Sequence, residues 1–381
     1  MSTIQSSSKI YFPHLDVIRF IAAFMIVILH SFECYTGWFG KIGFLTNGDN
    51  KTYSKTGEII VHFIHTFGIA VDVFFLLSGF LITYILIEEK KRNNKINIKN
   101  FMIRRSLRIW PLYFALIIIT PFLVNWLESP KPDYLYNLFF LNNFHTIETQ
   151  DWTYPFSHFW SICIEEHFYL IWPFVIAFIP LKKMGYAFSI ILLLSLSYRI
   201  YILLTMPDPT FVLFFNTLCR IDILVIGAFC ALFYSNKPIL FKLNLYIRIL
   251  LFILLILMFS FDVFSFLNPF FNTGFQKYFP ISIIAILLLD YNFNPNLKFR
   301  LPEKSIVHYF GKISYGIYMY SNILLLIIVK KMMWVVNSTN MYLFFTLVLS
   351  LSILIPIISY ELFEKVFLKW SVKFKMMKTE R

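Results

Sequence analysis

The chain has 381 residues, a formal charge of +13 and 58% hydrophobic residues, with a mean hydropathy of +0.68. A soluble protein of this size cannot hide so much apolar surface, so an ordinary globular domain is excluded and an all-α polytopic membrane protein is indicated. The lysines and arginines gather in short loops between apolar runs, a topology signal and not the footprint of a nucleic-acid binder.

Ten transmembrane helices are expected, at roughly 15–36, 62–87, 103–126, 158–180, 185–205, 211–234, 246–266, 277–291, 306–330 and 341–363. Residues 1–14 lack the basic segment and small-residue cleavage site of a signal peptide, and are expected to be a retained cytoplasmic segment. The first span reads LDVIRFIAAFMIVILHSFECY and carries Asp16, Arg19 and His30. Ionisable groups are costly in hydrocarbon, so they normally face a protein interior and mark function. Arg19-X10-His30 spans about three helical turns plus roughly 20°, so both side chains leave one face, roughly 16 Å apart in depth. His30 reads as a general base or a transient acyl carrier, or as a structural histidine bonded between helices. Asp16 can neutralise Arg19, and Glu33 is one candidate to orient His30.

The second span, GIAVDVFFLLSGFLI, contributes Asp72. The stretch 90–108 then holds Lys90, Lys91, Arg92, Lys95, Lys99, Arg104, Arg105 and Arg108 with no acid. Within it, Arg105 and Arg108 enter an otherwise apolar segment as an RxxR pair at an expected helix start, where guanidinium forks and free amides suit phosphate. The plainer reading is cytoplasmic loop charge. The stretch 127–157 is acidic (Glu128, Asp133, Glu148 and Asp151 against Lys131) and is expected to be the largest external loop. The fourth span, SHFWSICIEEHFYLIWP, brings Glu165, Glu166 and His167 to about the depth of His30 and Asp72, some 10–12 Å in. A histidine oriented by a carboxylate needs such a convergence, though structural hydrogen bonding would also produce it.

The sixth span, CRIDILVIGAFCALF, buries Arg220 and Asp222, which can neutralise each other or another buried charge. The ninth, FGKISYGIYMYSN, offers Ser314, Tyr315, Tyr318 and Tyr320 for a substrate route or for packing. Basic loops follow the fourth, sixth and eighth spans, and the tail 371–381 is basic, so both termini are expected in the cytoplasm. Lys330 and Lys331 are the exception and would snorkel at an external helix end. The four cysteines, Cys34, Cys163, Cys219 and Cys230, show no CxxC spacing, so neither a disulfide framework nor a metal site is expected.

Taken in order, these blocks resemble the membrane-bound acyltransferase 3 family. Arg19-X10-His30 resembles its Arg/Lys-X10-His signature, and GIAVDVFFLLSGFLI its G-VD-FF-LSGFLI block. Arg105–Arg108 resembles its RxxR, HFWSICIEEHFYLIWP its H-WSL-EEQFYL-WP block, and CRIDILVIGAF its RLD-LL-GA block. FGKISYGIYMYS and SYELFEKVFLKW resemble the last two. The matches run from about 15 to 370, which the resemblance makes one acyltransferase domain. It implies a cell (inner) membrane O-acyltransferase that moves an acyl group, usually acetyl, from cytoplasmic acyl-CoA to a hydroxyl of an exported carbohydrate or glycolipid. His30, Glu166 and Asp72 are the expected catalytic residues. Arg105, Arg108 and Arg19 are expected to hold the donor, and Arg220, Asp222, Tyr315 and Tyr318 the acceptor. No metal or nucleic acid is expected. Departures are Cys163 for serine, His167 for glutamine, Lys365 for arginine, and Ser321 where histidine is frequent. The rival class is a proton-coupled secondary transporter built on the same buried His, Asp and Glu residues. The inverted repeats and paired Gly/Pro-broken helices of a carrier are not visible.

Overall fold

The computed structural model describes residues 12–47, 52–152, 154–236, 243–261, 268–294, 305–332 and 340–374. The N-terminal segment through residue 11, the basic loops at 237–242 and 295–304, and the tail from 375 lie outside the described residues. Seventeen α-helices follow one another: α1 (Pro13–Phe39), α2 (Lys55–His65), α3 (Ile69–Asn93), α4 (Ile98–Trp126), α5 (Tyr134–Leu138), α6 (Asn142–Thr149), α7 (Phe159–Phe178), α8 (Met184–Thr205), α9 (Thr210–Phe215), α10 (Thr217–Asn236), α11 (Leu245–Ser260), α12 (Pro269–Phe275), α13 (Tyr278–Phe293), α14 (Ile306–Lys312), α15 (Ser314–Lys331), α16 (Met341–Ser359) and α17 (Lys365–Ser371). The chain is an all-α, multi-pass membrane protein.

The ten expected spans meet helices of unequal length, and residues 262–266 of the seventh lie outside the described residues. Among the described residues, seven helical stretches are long and apolar enough to cross a bilayer, and an eighth if α14 and α15, bent by 68°, count as one. Helices α11 and α13 have 16 residues each. At about 1.5 Å per residue that is roughly 24 Å, short of a hydrocarbon core near 30 Å. Lipid-facing surface is evident on Phe122, Phe178 and Leu204, which are 77%, 79% and 71% exposed.

The centre of the bundle is α3 against α10. Both approach through glycine: a Cβ on Gly79 would strike the backbone of Leu224, and one on Gly227 the backbone of Leu76 and Phe80. Small residues let two membrane helices close to backbone contact, where dispersion replaces the missing hydrophobic drive. Helix α7 is tied to α3 by Trp172, whose indole N–H donates to Thr83 Oγ1 at 2.7 Å. The ammonium of Lys90 donates to the carbonyls of Ile176, Ala177 and Ile179 at 2.7–2.9 Å, closing the open end of α7. In the stretch 127–157, α5 and α6 pack beside α4 and α7, and Tyr113 on α4 donates to the carbonyl of Asn137 at 2.8 Å. Lys330 and Lys331 stand over the rings of Trp38 and Trp126, 5.9 and 5.4 Å from their centres.

Candidate active site

Five helices build a narrow cavity of about 80 Å³ whose lining includes Arg19 from α1, Ser78 from α3, Arg105 and Arg108 from α4, Ser161 and Glu165 from α7, and Tyr315 and Tyr318 from α15. Five of the expected site residues, Arg19, Arg105, Arg108, Tyr315 and Tyr318, thus meet. The i, i+3 spacing of Arg105 and Arg108 puts both guanidiniums on one face of α4. Arg105 stands 5.6 Å from the ring centre of Tyr169, and Arg19 pairs with Asp16 at 3.4 Å. Glu165 accepts from Ser78 Oγ at 2.7 Å, and Ser78 accepts from Tyr169 at 3.0 Å. Arginines and a hydrogen-bonded carboxylate therefore line a space that seats a few waters, so a larger ligand must part its walls.

The expected contribution of a helix start is corrected. Helix α4 begins at Ile98, and the free amides of a helix belong to its first four residues, so none lies beside Arg105. The arginines act through their own charge.

Behind the Ser161–Tyr318 end of this cavity lies a cluster of two imidazoles and an amide. Tyr318 donates to the carbonyl of His158 at 2.8 Å, and its oxygen is 2.8 Å from Ser161 Oγ. His158 Nε2 is 3.1 Å from the carbonyl of Met319. A carbonyl can only accept, so that nitrogen carries the proton and Nδ1 keeps its lone pair. Asn322 Nδ2 donates to Ser157 Oγ at 2.8 Å, which leaves the amide oxygen of Asn322 free. His30 lies beside both Asn322 and His158. Nδ1 of His30, Nδ1 of His158 and Oδ1 of Asn322 are all buried without a hydrogen-bond partner. Three such atoms in one place are costly unless a ligand or a reacting group satisfies them.

Three sequence expectations are corrected here. Asp72 does not orient His30: it forms an ion pair with Arg220 at 2.8 Å, because its face of α3 looks toward α10. Glu166 points away from the arginine cavity and accepts from the indole of Trp110 at 2.9 Å, so Glu165 is the carboxylate that faces the cavity. Of the two alternatives open to Arg220 and Asp222, the structure shows the second, each paired with another buried charge. Asp222 pairs with Arg199 at 2.7 Å and Lys277 at 3.5 Å, and accepts from Tyr278. Arg220 and Asp72 line a second cavity of about 430 Å³ with Arg199 and Lys277, while Asp222 sits fully buried behind it. Tyr315 and Tyr318, expected on the acceptor side, line the arginine cavity instead. His158 and Asn322 escaped the sequence reading, although His158 stands in a quoted motif block and Asn322 directly follows Ser321. Ser321 itself donates back to the carbonyl of Tyr318 at 2.8 Å and is satisfied within its own helix.

Residues 12–361 match the sequence profile of a family described as an acyltransferase domain. The chain belongs to that acyltransferase family. A Staphylococcus aureus (strain COL) member is 26% identical over 388 residues, covering 95% of this chain and 58% of the relative. O-acetyltransferase OatA of Staphylococcus aureus (strain NCTC 8325 / PS 47) is 28% identical, over 71% of this chain and 48% of its own. Peptidoglycan O-acetyltransferase OatA of Listeria monocytogenes serovar 1/2a (strain ATCC BAA-679 / EGD-e) is 29% identical, over 46% of this chain and 26% of its own. The chain thus spans little more than half the length of the relatives it matches most fully. No solved structure matches this acyltransferase-family chain.

Proposed function

We propose that the protein is a cell-membrane O-acetyltransferase that takes an acyl group from acyl-CoA at the cytoplasmic face and passes it to a carbohydrate hydroxyl on the other side. One observation carries this reading. Helices α1 and α15 each contribute to the arginine cavity, then to the imidazole cluster, and then to a further cavity holding Glu33 and Val329, whose lining the loop residue Trp152 completes. Family membership and the O-acetyltransferase names of relatives favour transfer over transport.

In this reading Arg19, Arg105 and Arg108 hold the donor phosphates by charge-assisted hydrogen bonds, and the thioester lies near His30. A hydroxyl approaches from the far side. His30 takes its proton, the oxygen forms a bond to the thioester carbonyl carbon, the carbon–sulfur bond breaks, and the thiolate leaves and is protonated by the imidazolium. In a two-step variant the His30 nitrogen bonds the carbonyl carbon as the carbon–sulfur bond breaks and the thiolate leaves; the acceptor oxygen then bonds that carbon, the carbon–nitrogen bond breaks, and the hydroxyl proton passes to the freed imidazole. Both routes need an unprotonated nitrogen, and Asn322 beside His30 is a neutral neighbour that fixes no charge on the ring.

The test is His30→Ala in purified protein with radiolabelled acetyl-CoA. The expected result is a loss of transfer of about a hundredfold or more, in a variant that still purifies as a monodisperse membrane protein. Unaltered transfer by that variant would falsify the assignment.

A further inference from the structure

The third cavity has a volume of about 470 Å³, and its lining includes Glu33, Trp38, Asp151, Trp152, Tyr154 and Lys330. Its placement follows from helical spacing. On α1, Glu33 and Cys34 stand three and four residues beyond His30 and Gly37 seven, so they share its face. On α15, Leu326 and Val329 bear the same relation to Asn322. The cavity therefore opens directly over the imidazole cluster, at the end opposite the arginines.

Its chemistry is distinctive. Trp38, Trp152 and Tyr154 are 51%, 45% and 39% exposed. Trp152 is backed by Phe215, with ring centres 5.0 Å apart, which fixes its plane. Tyr154 lines the cavity beside Glu33 and Cys34, and Glu33 is held 3.7 Å from His65 Nδ1. Tryptophan and tyrosine also gather at bilayer surfaces as aromatic belts. Belt residues face lipid headgroups, whereas these three rings share one concavity with two carboxylates.

We propose that this cavity is the acceptor site and that it takes uncharged or amino-substituted pyranoses. The proposal rests on the O-acetyltransferase reading and narrows its substrate. A pyranose offers a face of C–H groups with partial positive charge, which rests on the negative face of an aromatic ring. Its equatorial hydroxyls donate to carboxylates, and Glu33 and Asp151 supply them. Against these two acids stands one base, Lys330, so an acidic sugar meets net repulsion. The second cavity has the opposite balance, with Arg199, Arg220 and Lys277 against Asp72.

The experiment is calorimetric titration of the full chain in nanodiscs, without donor, using chitohexaose as the neutral probe and a hyaluronan hexasaccharide as the acidic one. The expected result is binding of chitohexaose, with hyaluronan at least tenfold weaker. Trp152→Ala and Trp38→Ala should each weaken chitohexaose about fivefold, the size of one aromatic contact. Trp152→Phe should recover most of the loss, which separates stacking from misfolding. Glu33→Gln combined with Asp151→Asn should erase the preference against hyaluronan. Three results overturn the proposal: no chitohexaose binding, equal affinity in both Trp→Ala variants and the unaltered chain, or tight hyaluronan binding lost in Lys277→Gln. Chitohexaose binding without any acetyl transfer would defeat the enzymatic reading and leave the site standing. Transfer that ignores every cavity variant would do the reverse.

Discussion

Asn322 shows how much depends on a single neutral side chain. A carboxylate beside His30 would favour the imidazolium and take away the lone pair that transfer needs, whereas an uncharged amide leaves the ring neutral. Asn322→Ala is therefore expected to lower kcat by about tenfold or more while the KM for acetyl-CoA stays within about twofold. An unchanged kcat would remove Asn322 from the mechanism. The arginines predict the opposite split. Arg105→Ala removes charge-assisted bonds to phosphate, so the KM for acetyl-CoA should rise by about tenfold with kcat little altered. Steady-state kinetics on the two variants side by side decides between these roles. Arg105→Lys should recover only part of the affinity, because an ammonium cannot form the paired fork.

Helices place these groups, and here the limits of the sequence become visible. Helical period put Arg19 and His30 on one face of α1, because the rise and turn are fixed, and Arg19 lines the arginine cavity. Relative depth was assigned by counting along each span. What counting cannot supply is the azimuth of one helix relative to another. Asp72 was matched to His30 by depth, yet the glycine contact of α3 with α10 turns that face toward Arg220. Glu165 and Glu166 differ by one residue and about 100° of rotation, enough to exchange cavity for tryptophan. His158 lay at the first residue of the expected fourth span, and nothing in its spacing marks that its ring lies beside His30. The α3–α10 contact carries its own prediction. Gly79→Ala should lower the thermal midpoint of the detergent-solubilised protein by several degrees, because the added methyl meets backbone that cannot yield. Asp72→Asn should destabilise by about 3 kcal/mol, leaving Arg220 buried and unpaired, and Asp72→Leu with Arg220→Leu should recover part of that loss. A midpoint insensitive to Asp72→Asn would mean that the pair is solvated.

On the scale of the whole molecule, two helices, α1 and α15, link two cavities of different chemistry through one imidazole cluster. The arginine end suits a phosphate-bearing donor, and the aromatic end suits a sugar. The second cavity, with its basic excess, lies to one side of this line, behind Arg220 and the rings of Trp160 and Phe214. The central claim is that an acyl group crosses from one end to the other by way of His30. It is tested most directly in proteoliposomes, with radiolabelled acetyl-CoA outside and chitohexaose sealed within. The account predicts labelled glycan in the lumen of vesicles carrying the unaltered chain, none when His30 is replaced by alanine, and none when donor and glycan are both confined to the outside. Label acquired with both substrates on one side, or retained in His30→Ala vesicles, would contradict it.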